Sequence, residues 1–304
     1  MKVVLSTVLA LVFLASLFIS GARQPLEFSD AKQAVLWDVL PVSGKTQADA
    51  NLLRFPDGIT VLIDAGEVKP LVPQLKKLGV TRIDKILISH PHIDHYGGIP
   101  ALLESDIAIG EVDMNVPDQS VCDREKGWGC DRNAVLELMK QLAAHHVKVK
   151  SVVAGDVPVQ SGNARLEVLY AFDGVKTPVG PTDANDTSAI QLLTVGSMHV
   201  LFPGDLNRPI AAYLVSKQDP RLHAQLLKVP HHGGEGVADD PFFDWVAPGA
   251  GFVPTTSELW NSDRCKRVRT WFKANKIPVF VTGLVGRVHV SIESEGYRIS
   301  LPSY

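Results

Sequence analysis

Three histidines and one aspartate lie within six residues, directly after a short apolar segment. The segment Lys85–Ser89 reads KILIS, which favours a buried strand, and His90, His92, Asp94 and His95 follow it. In a roughly extended backbone, His90 and His92 point the same way and can hold one ion, while Asp94 and His95 lie past the turn and can face a second. Imidazole and carboxylate donors together suit zinc, manganese or iron. The pattern therefore predicts a metal site on the loop that follows a strand.

The composition excludes several other classes of protein. The 304 residues are 45% hydrophobic and 21% charged, which is enough apolar sequence for a sizeable core and argues against a disordered chain. Lys+Arg 30 against Asp+Glu 33 leaves a net charge of −3, which argues against binding nucleic acid through a broad basic face. A phosphate-binding glycine-rich loop and a Gly-x-Ser-x-Gly nucleophile motif are both absent from the sequence.

The first residues are typical of an export signal. A single Lys2 precedes the uncharged run Val3–Ile19, and small residues follow up to Ala22. Residues 1–22 are therefore predicted to be a signal peptide or, alternatively, an N-terminal membrane anchor. Both interpretations predict a periplasmic or secreted protein, which contacts a membrane only if this segment stays uncleaved.

The predicted export bears on the state of the three cysteines. Cys122 and Cys130 flank the loop-like stretch DREKGWG, and in an oxidising compartment we expect them to form a disulfide. Zinc ligation by these two thiols is the weaker alternative, because no second pair lies nearby. Cys265 would then be a single buried thiol.

Strand and helix patterns alternate along the chain without a repeat or a polar linker. Ala50–Phe55 and Ile59–Ile63 flank the turn signal Pro-Asp-Gly and predict a hairpin, and Asp131–His146 is the clearest amphipathic helix. A second hairpin is expected around Gly286 and Gly296. These patterns predict a layered α/β domain with two sheets.

The segment from His90 to His95 is identified as the His-x-His-x-Asp-His signature of the metallo-β-lactamase superfamily. The resemblance covers residues 34–301. It implies an α/β fold of the αββα type, a four-layer sandwich with two mixed sheets. It also implies a hydrolase domain with two divalent metal ions, for which zinc is the preferred ion and manganese or iron are alternatives.

Further positions follow the order of the superfamily's motifs. The resemblance makes Asp64, in VLIDAG, a residue that supports the metal site, and Asp205, in LFPGD, the carboxylate that bridges two ions.

His231, in KVPHHGG, matches the last ligand. If the backbone is extended, the side chains of His231 and His232 diverge and only one can bind the ion. We expect His231 to be the ligand and His232 to support it or to contact a substrate's leaving oxygen, with the reverse assignment left open.

The superfamily's third histidine for the first ion has no counterpart in the expected loop. His145 and His146 fit a solvated helix end. Asn185 and Asp186 occupy the corresponding segment, and we expect Asp186 to be the ligand. The predicted catalytic residues are thus Asp94 and His232, and the predicted metal ligands are His90, His92, Asp94, His95, Asp186, Asp205 and His231.

Within the superfamily, the chain resembles the hydrolase domain of bacterial DNA-uptake (competence) proteins and their stand-alone relatives. Residues 185–188 are similar to that group's Asn-(Asn/Asp)-x-Ser segment, and residues 227–234 to its Leu-Lys-Val-x-His-His-Gly-Ser segment. Two features of the group are missing from this sequence, namely the multi-span channel and the Asp that usually stands in place of His92.

The resemblance and the ligand pattern together imply a reaction. We predict an exported hydrolase in which a metal-bound hydroxide attacks a phosphodiester, either a small molecule or nucleic acid, with Asp94 orienting the nucleophile. An acyl hydrolase that opens a lactone or β-lactam ring is one alternative, and a non-catalytic metal-binding module is another. No stable protein partner is predicted.

Overall fold

Two β-sheets organise the part of the chain that the structure describes. The computed structural model describes residues 33–41, 47–66, 71–125, 129–171, 177–181, 183–234 and 236–302. All of these belong to one unit, Lys32–Tyr304. The predicted signal segment, residues 1–22, lies outside the described residues. Within the described ranges, no helix has the length and apolar character needed to cross a membrane.

Fifteen strands in the described ranges form an eight-stranded and a seven-stranded sheet. Their bounds are β1 Val35–Val39, β2 Ala50–Arg54, β3 Thr60–Ala65, β4 Arg82–Leu87, β5 Ala108–Asp113, β6 Lys148–Lys150, β7 Val159–Ser161, β8 Ala164–Tyr170, β9 Ile190–Val195, β10 Met198–Phe202, β11 Leu226–Lys228, β12 Ala250–Val253, β13 Val279–Val281, β14 Val288–Glu293 and β15 Gly296–Ser300. The first sheet has the order β15-β14-β1-β2-β3-β4-β5-β6, and the second has the order β13-β12-β11-β10-β9-β8-β7. Each sheet contains parallel and antiparallel pairs, so both are mixed.

Short helices connect the strands. The α-helices are α1 Leu71–Lys77, α2 Ile93–Tyr96, α3 Ile99–Leu103, α4 Gln119–Cys122, α5 Arg132–Ala144, α6 Arg208–Ser216, α7 Asp240–Val246, α8 Ser257–Asn261, α9 Lys266–Ala274 and α10 Thr282–Val285. Single 3-10 turns lie at Asp123–Glu125, Asn185–Thr187, Pro220–Leu222, Pro230–Gly233 and Asp263–Cys265.

Three apolar layers hold the sheets and helices together. The central layer lies between the two sheets, where the ring of Trp37 contacts Phe202 at 5.0 Å and Phe252 at 4.5 Å between centroids. A second layer packs α1, α3 and α5 against the first sheet, and a third packs α6, α7 and α9 against the second sheet. The result is the predicted αββα sandwich, so this expectation is confirmed.

Both predicted hairpins are present. Strands β2 and β3 pair antiparallel around the Pro-Asp-Gly turn, as expected, with Arg54 opposite Thr60. The second hairpin is formed by β14 and β15, and Gly286 precedes it at the end of α10 with a φ of 74°. The turn that joins β14 to β15 lies further on, just before Gly296.

The cysteine prediction is confirmed. Cys122 and Cys130 form a disulfide, and Cys265 is a buried free thiol. The disulfide closes a loop between α4 and α5, and this loop is called the Cys122–Cys130 loop below.

Candidate metal centre

The histidine motif lies where β4 leaves the first sheet. The loop after β4 carries His90 and His92, and α2 carries Asp94 and His95. A glycine is required on each side of this loop, because a Cβ atom on Gly66 would collide with the carbonyl oxygen of Asp94, and one on Gly98 would collide with Gly66. The two glycines therefore let the motif pack directly against the end of β3.

Four side chains from three segments of the chain converge on one point. Asp94, His95, Asp205 and His232 each offer a ligand atom, and these atoms all lie within 4.8 Å of one another. The Oδ2 atom of Asp205 is 3.2 Å from the Nε2 atoms of both His95 and His232. Both Nε2 atoms are buried and make no hydrogen bond to any described residue. Buried nitrogen and oxygen donors that converge in this way fit a divalent cation.

The other ring nitrogen of each histidine in this cluster has a fixed partner. The Nδ1 atom of His95 lies 2.8 Å from Oδ2 of Asp64, whose other oxygen accepts a hydrogen bond from the Ser89 backbone N–H at 2.7 Å. The Nδ1 atom of His232 lies 2.9 Å from the carbonyl oxygen of Pro254. Such outer partners orient metal-binding histidines and leave Nε2 for the ion. The supporting role predicted for Asp64 agrees with this geometry.

A second point of convergence lies beside the first. The Nε2 atom of His90 is 3.1 Å from the Nδ1 atom of His92, and the rings of His90 and His95 are 4.0 Å apart between centroids. The Nε2 atom of His92 lies 2.7 Å from Oε2 of Glu125. The structure thus brings both leading histidines of the motif next to the four-residue cluster.

A buried lysine, Lys228, contacts the cluster through Asp205. The sequence analysis did not identify it as a site residue. Lys228, at the end of β11, is 1% exposed, forms an ion pair with Asp49 and lies 3.2 Å from Oδ1 of Asp205. It also donates a hydrogen bond to the Gly204 carbonyl at 2.8 Å. Burial alone would lower the pKa of Lys228, but Asp49 and Asp205 raise it above its usual value. Oδ1 of Asp205 faces Lys228, and only Oδ2 faces the histidines of the cluster. The role of Asp205 as a bridge between two ions therefore stays a prediction.

The charges in the cluster are strongly coupled. Burial alone would lower the pKa of His95, but three neighbouring carboxylates raise it well above its usual value, those of Asp205, Asp64 and Asp94. Burial opposes the same effect at His232, whose pKa is raised to about 9 by Asp205 and Asp94. Protons on these histidines neutralise the carboxylates, so a divalent cation would compete with protons for the same atoms.

The structure favours the reverse assignment of the adjacent histidines, which the sequence left open. The backbone there is not extended, because His231 and His232 have left-handed φ angles of 48° and 51°. The ring of His231 turns to Asn207, with 3.0 Å between Nδ1 and Oδ1, whereas His232 joins the cluster. The condition of an extended backbone is therefore not met, and the geometry favours His232 as the ligand, although the ligand assignment stays a prediction.

Asp186 lies outside the four-residue cluster. Its Oδ1 atom accepts a hydrogen bond from the Asn207 backbone N–H at 3.2 Å, and burial together with the charge of Asp183 raises its pKa to about 7. The neighbouring Asn185 is also buried. A ligand role for Asp186 stays a prediction.

A family model and several curated proteins are similar to this chain. Residues 43–113 match the family model of the metallo-beta-lactamase superfamily. Competence protein ComA of Neisseria gonorrhoeae is 26% identical over 297 residues, which cover 94% of this chain and 36% of that protein. Endoribonuclease YSH1 of Candida glabrata is 24% identical over 207 residues, which cover 59% of this chain and 24% of that protein. The chain thus spans about a third or less of the length of these relatives.

A solved structure agrees with the fold. A mutant of the CmlA beta-hydroxylase superposes with a TM-score of 0.54 at 14% identity, over 85% of this chain and 54% of that one. The four-layer sandwich, with a histidine–aspartate cluster at the strand ends of both sheets, defines a metallo-β-lactamase-fold protein. The match of residues 43–113 to the metallo-beta-lactamase superfamily model and the similarity to competence proteins agree with this fold.

Proposed function

We propose that this chain is an exported hydrolase that uses two divalent cations to cleave phosphodiesters. The observation that carries the proposal is the convergence of four ligand atoms, from Asp94 and the buried His95, Asp205 and His232, beside the pair His90 and His92. Two of those atoms, both histidine nitrogens, are buried without a hydrogen bond to any described residue. A cation bound between these nitrogens and Oδ2 of Asp205, which is 3.2 Å from each, would give both a partner.

The protein residues around the cluster have separable roles. Two bound cations would lower the pKa of a water molecule, so that hydroxide is available as the nucleophile near neutral pH. They would also stabilise the negative charge that develops on the attacked group. Asp94 is the most accessible member, with 21% of its side chain exposed, and its Oδ2 lies 3.5 Å from Nε2 of His232. Gln47 donates a hydrogen bond to the same Oδ2 at 3.4 Å. Asp94 is therefore placed to orient a nucleophile that approaches from solvent, while Lys228 and Asp64 hold the buried members still.

Two lines of support favour a phosphodiester substrate and an exported protein. The similar sequences include an endoribonuclease and a competence protein by name, although the chain spans only part of each. The sequence of residues 1–22 has the pattern of an export signal, and the disulfide of Cys122 and Cys130 suits an oxidising compartment. Zinc is the preferred ion, with manganese or iron as alternatives.

A substrate panel tests the proposed reaction. Purified protein would be assayed on bis-p-nitrophenyl phosphate, single-stranded DNA, a lactone and nitrocefin, with metal content measured by elemental analysis. We expect about two metal equivalents and turnover of the two phosphodiesters. Turnover of only the lactone or nitrocefin would contradict the phosphodiester proposal, and full activity of metal-free protein would contradict the use of metal.

A matched pair of variants tests the ligand set. We expect His232→Ala to lose one metal equivalent and to lower kcat/KM by more than about 100-fold, because it removes a donor atom from the cluster. His231→Ala is the control, since the two residues share the left-handed backbone but His231 faces Asn207. Loss of metal from His231→Ala alone would restore the original assignment.

A further inference from the structure

We infer that Glu125 is a positioning residue, which turns the Nδ1 atom of His92 toward the first metal ion and is held in place by the Cys122–Cys130 loop. The inference rests on the proposed function, because it assigns how one of the two ions is bound. Neither the sequence motifs nor the superfamily match points to Glu125.

The two nitrogens of His92 face different groups. Nδ1 lies 3.1 Å from Nε2 of His90, and Nε2 lies 2.7 Å from Oε2 of Glu125. If Nε2 carries the hydrogen and donates it to the carboxylate, Nδ1 presents its lone pair where the Nε2 of His90 also points. Two imidazole nitrogens then converge on one ion, and Glu125 decides which nitrogen of His92 takes part.

The same arrangement recurs at the other histidines of the site. Asp64 holds Nδ1 of His95, and the carbonyl of Pro254 holds Nδ1 of His232, so that the opposite nitrogen faces the cluster. A carboxylate behind a metal-binding histidine fixes the ring and makes the donor nitrogen more basic. Glu125 supplies for His92 what Asp64 supplies for His95.

Glu125 is itself firmly held. It is 1% exposed, and its Oε2 also accepts a hydrogen bond from the Cys130 backbone N–H at 2.8 Å, while Oε1 accepts one from the Ala184 N–H at 2.5 Å. A Cβ atom on Gly129 would collide with the carboxylate, so the loop leaves space for it.

The disulfide is the brace for this carboxylate. The half-cystines Cys122 and Cys130 flank Glu125 in sequence, and the Cys130 N–H is one of the donors to the carboxylate. The disulfide therefore joins the end of α4 to the residue before the cap of α5, beside the buried carboxylate of Glu125. Without the covalent link, ordering this loop would cost more conformational entropy.

The substitution Glu125→Gln tests the inference through metal affinity rather than turnover. The amide has only one oxygen to serve donors that now use both carboxylate oxygens, and it removes the negative charge behind His92. In a zinc titration against a competing chelator, we expect one of the two equivalents to bind about 10- to 100-fold more weakly, with the other unchanged. A matching change should appear in the visible spectrum of the cobalt-substituted protein, which reports the ligand field of the affected ion.

Two further proteins control the experiment. Glu137→Gln removes an exposed carboxylate from α5 and should bind both equivalents as the wild type does. The double variant Cys122→Ser/Cys130→Ser leaves Glu125 intact but removes the brace, and should weaken the same equivalent by a smaller factor. It also keeps the inference testable if Glu125→Gln does not fold.

The outcomes separate the inference from the proposed function. A wild type that binds no metal would overturn both. A wild type with two equivalents, together with Glu125→Gln of unchanged affinity at both, would leave the proposed function standing and overturn the positioning role. Equal weakening of both equivalents would also overturn it, because that result indicates a general structural effect.

Discussion

At the scale of single residues, Asp113 shows how burial changes a charge outside the metal centre. It ends β5 with 3% exposure, two residues after Glu111, which forms ion pairs with Lys85 and Lys148. Burial raises the pKa of Asp113 to about 6, and the charge of Glu111 adds to the increase while Lys85 opposes it. Folding therefore favours the neutral form of Asp113 relative to the unfolded chain, and the side chain ionises as the pH rises through about 6.

The substitution Asp113→Asn should stabilise the protein at alkaline pH. Because the pKa is higher in the folded state than in the unfolded state, the stabilising contribution of Asp113 is complete below about pH 4 and is lost as the pH rises through about 6. At pH 8 we expect the free energy of unfolding of the variant to exceed that of the wild type by a value on the order of 2 kcal/mol. Urea denaturation at pH 4 and pH 8 measures this, and a difference that did not change with pH would contradict the explanation.

The site residues differ in whether the sequence alone can reveal them. His90, His92, Asp94 and His95 are predictable because one strand end delivers them all within six residues. Glu125 and the pair of Lys228 with Asp49 are not predictable in this way, since their partners are brought close only by tertiary folding. The choice between His231 and His232 depended on a backbone conformation, which side-chain spacing does not specify.

At the scale of elements, α5 has a clear start signal. Asp131 accepts hydrogen bonds from the backbone N–H groups of Asn133 at 2.9 Å and Ala134 at 3.1 Å, and thus caps the helix. Val135, Leu138 and Leu142 form its buried face, at the spacing that made this helix predictable.

Removal of the cap should destabilise the protein measurably. We expect Asp131→Ala to lower the free energy of unfolding by about 1 kcal/mol, because two backbone donors lose their acceptor. Glu137→Ala, in the exposed middle of the same helix, is the control and should change stability by less than about 0.5 kcal/mol. Equal effects from the two substitutions in chemical denaturation would show that the cap contributes nothing specific.

Other elements gave little periodic signal. Strand β12 (Ala250–Val253) is only four residues long and buried throughout, so it shows no alternation of polar and apolar residues. Helix α7 (Asp240–Val246) is seven residues long and contains a proline in its first turn. Short elements of this kind are specified mainly by the layers against which they pack, and a single sequence does not display those layers.

At the largest scale, the residues of the candidate metal centre come from both sheets. Asp94 and His95 follow β4 of the first sheet, whereas Asp205 and His232 follow β10 and β11 of the second. A cation bound by all four would therefore connect both halves of the sandwich, and its binding free energy would add to the stability of the fold.

Metal removal should consequently lower the melting temperature. At a metal concentration 1,000 times Kd, a single site adds about 4 kcal/mol, which for a chain of this size corresponds to a shift on the order of 10 °C. Differential scanning fluorimetry of chelator-treated protein, before and after addition of zinc or manganese, measures the shift. The His232→Ala protein should show a smaller shift in Tm on addition of metal. An identical Tm of the wild type with and without metal would contradict the prediction that a bound cation connects the two sheets.

The position of β1 also governs when this protein can fold. β1 lies between β2 and β14, with Val35 opposite Ile292, so a strand near the start of the described chain pairs with one near its end. Until the hairpin of β14 and β15 is available, β1 has an unpaired edge, which is a site for aggregation. Pairings so distant in sequence form slowly, because the loop they close is long. The first sheet is therefore completed late, and a nascent or truncated chain that lacks the last two strands needs protection of that edge.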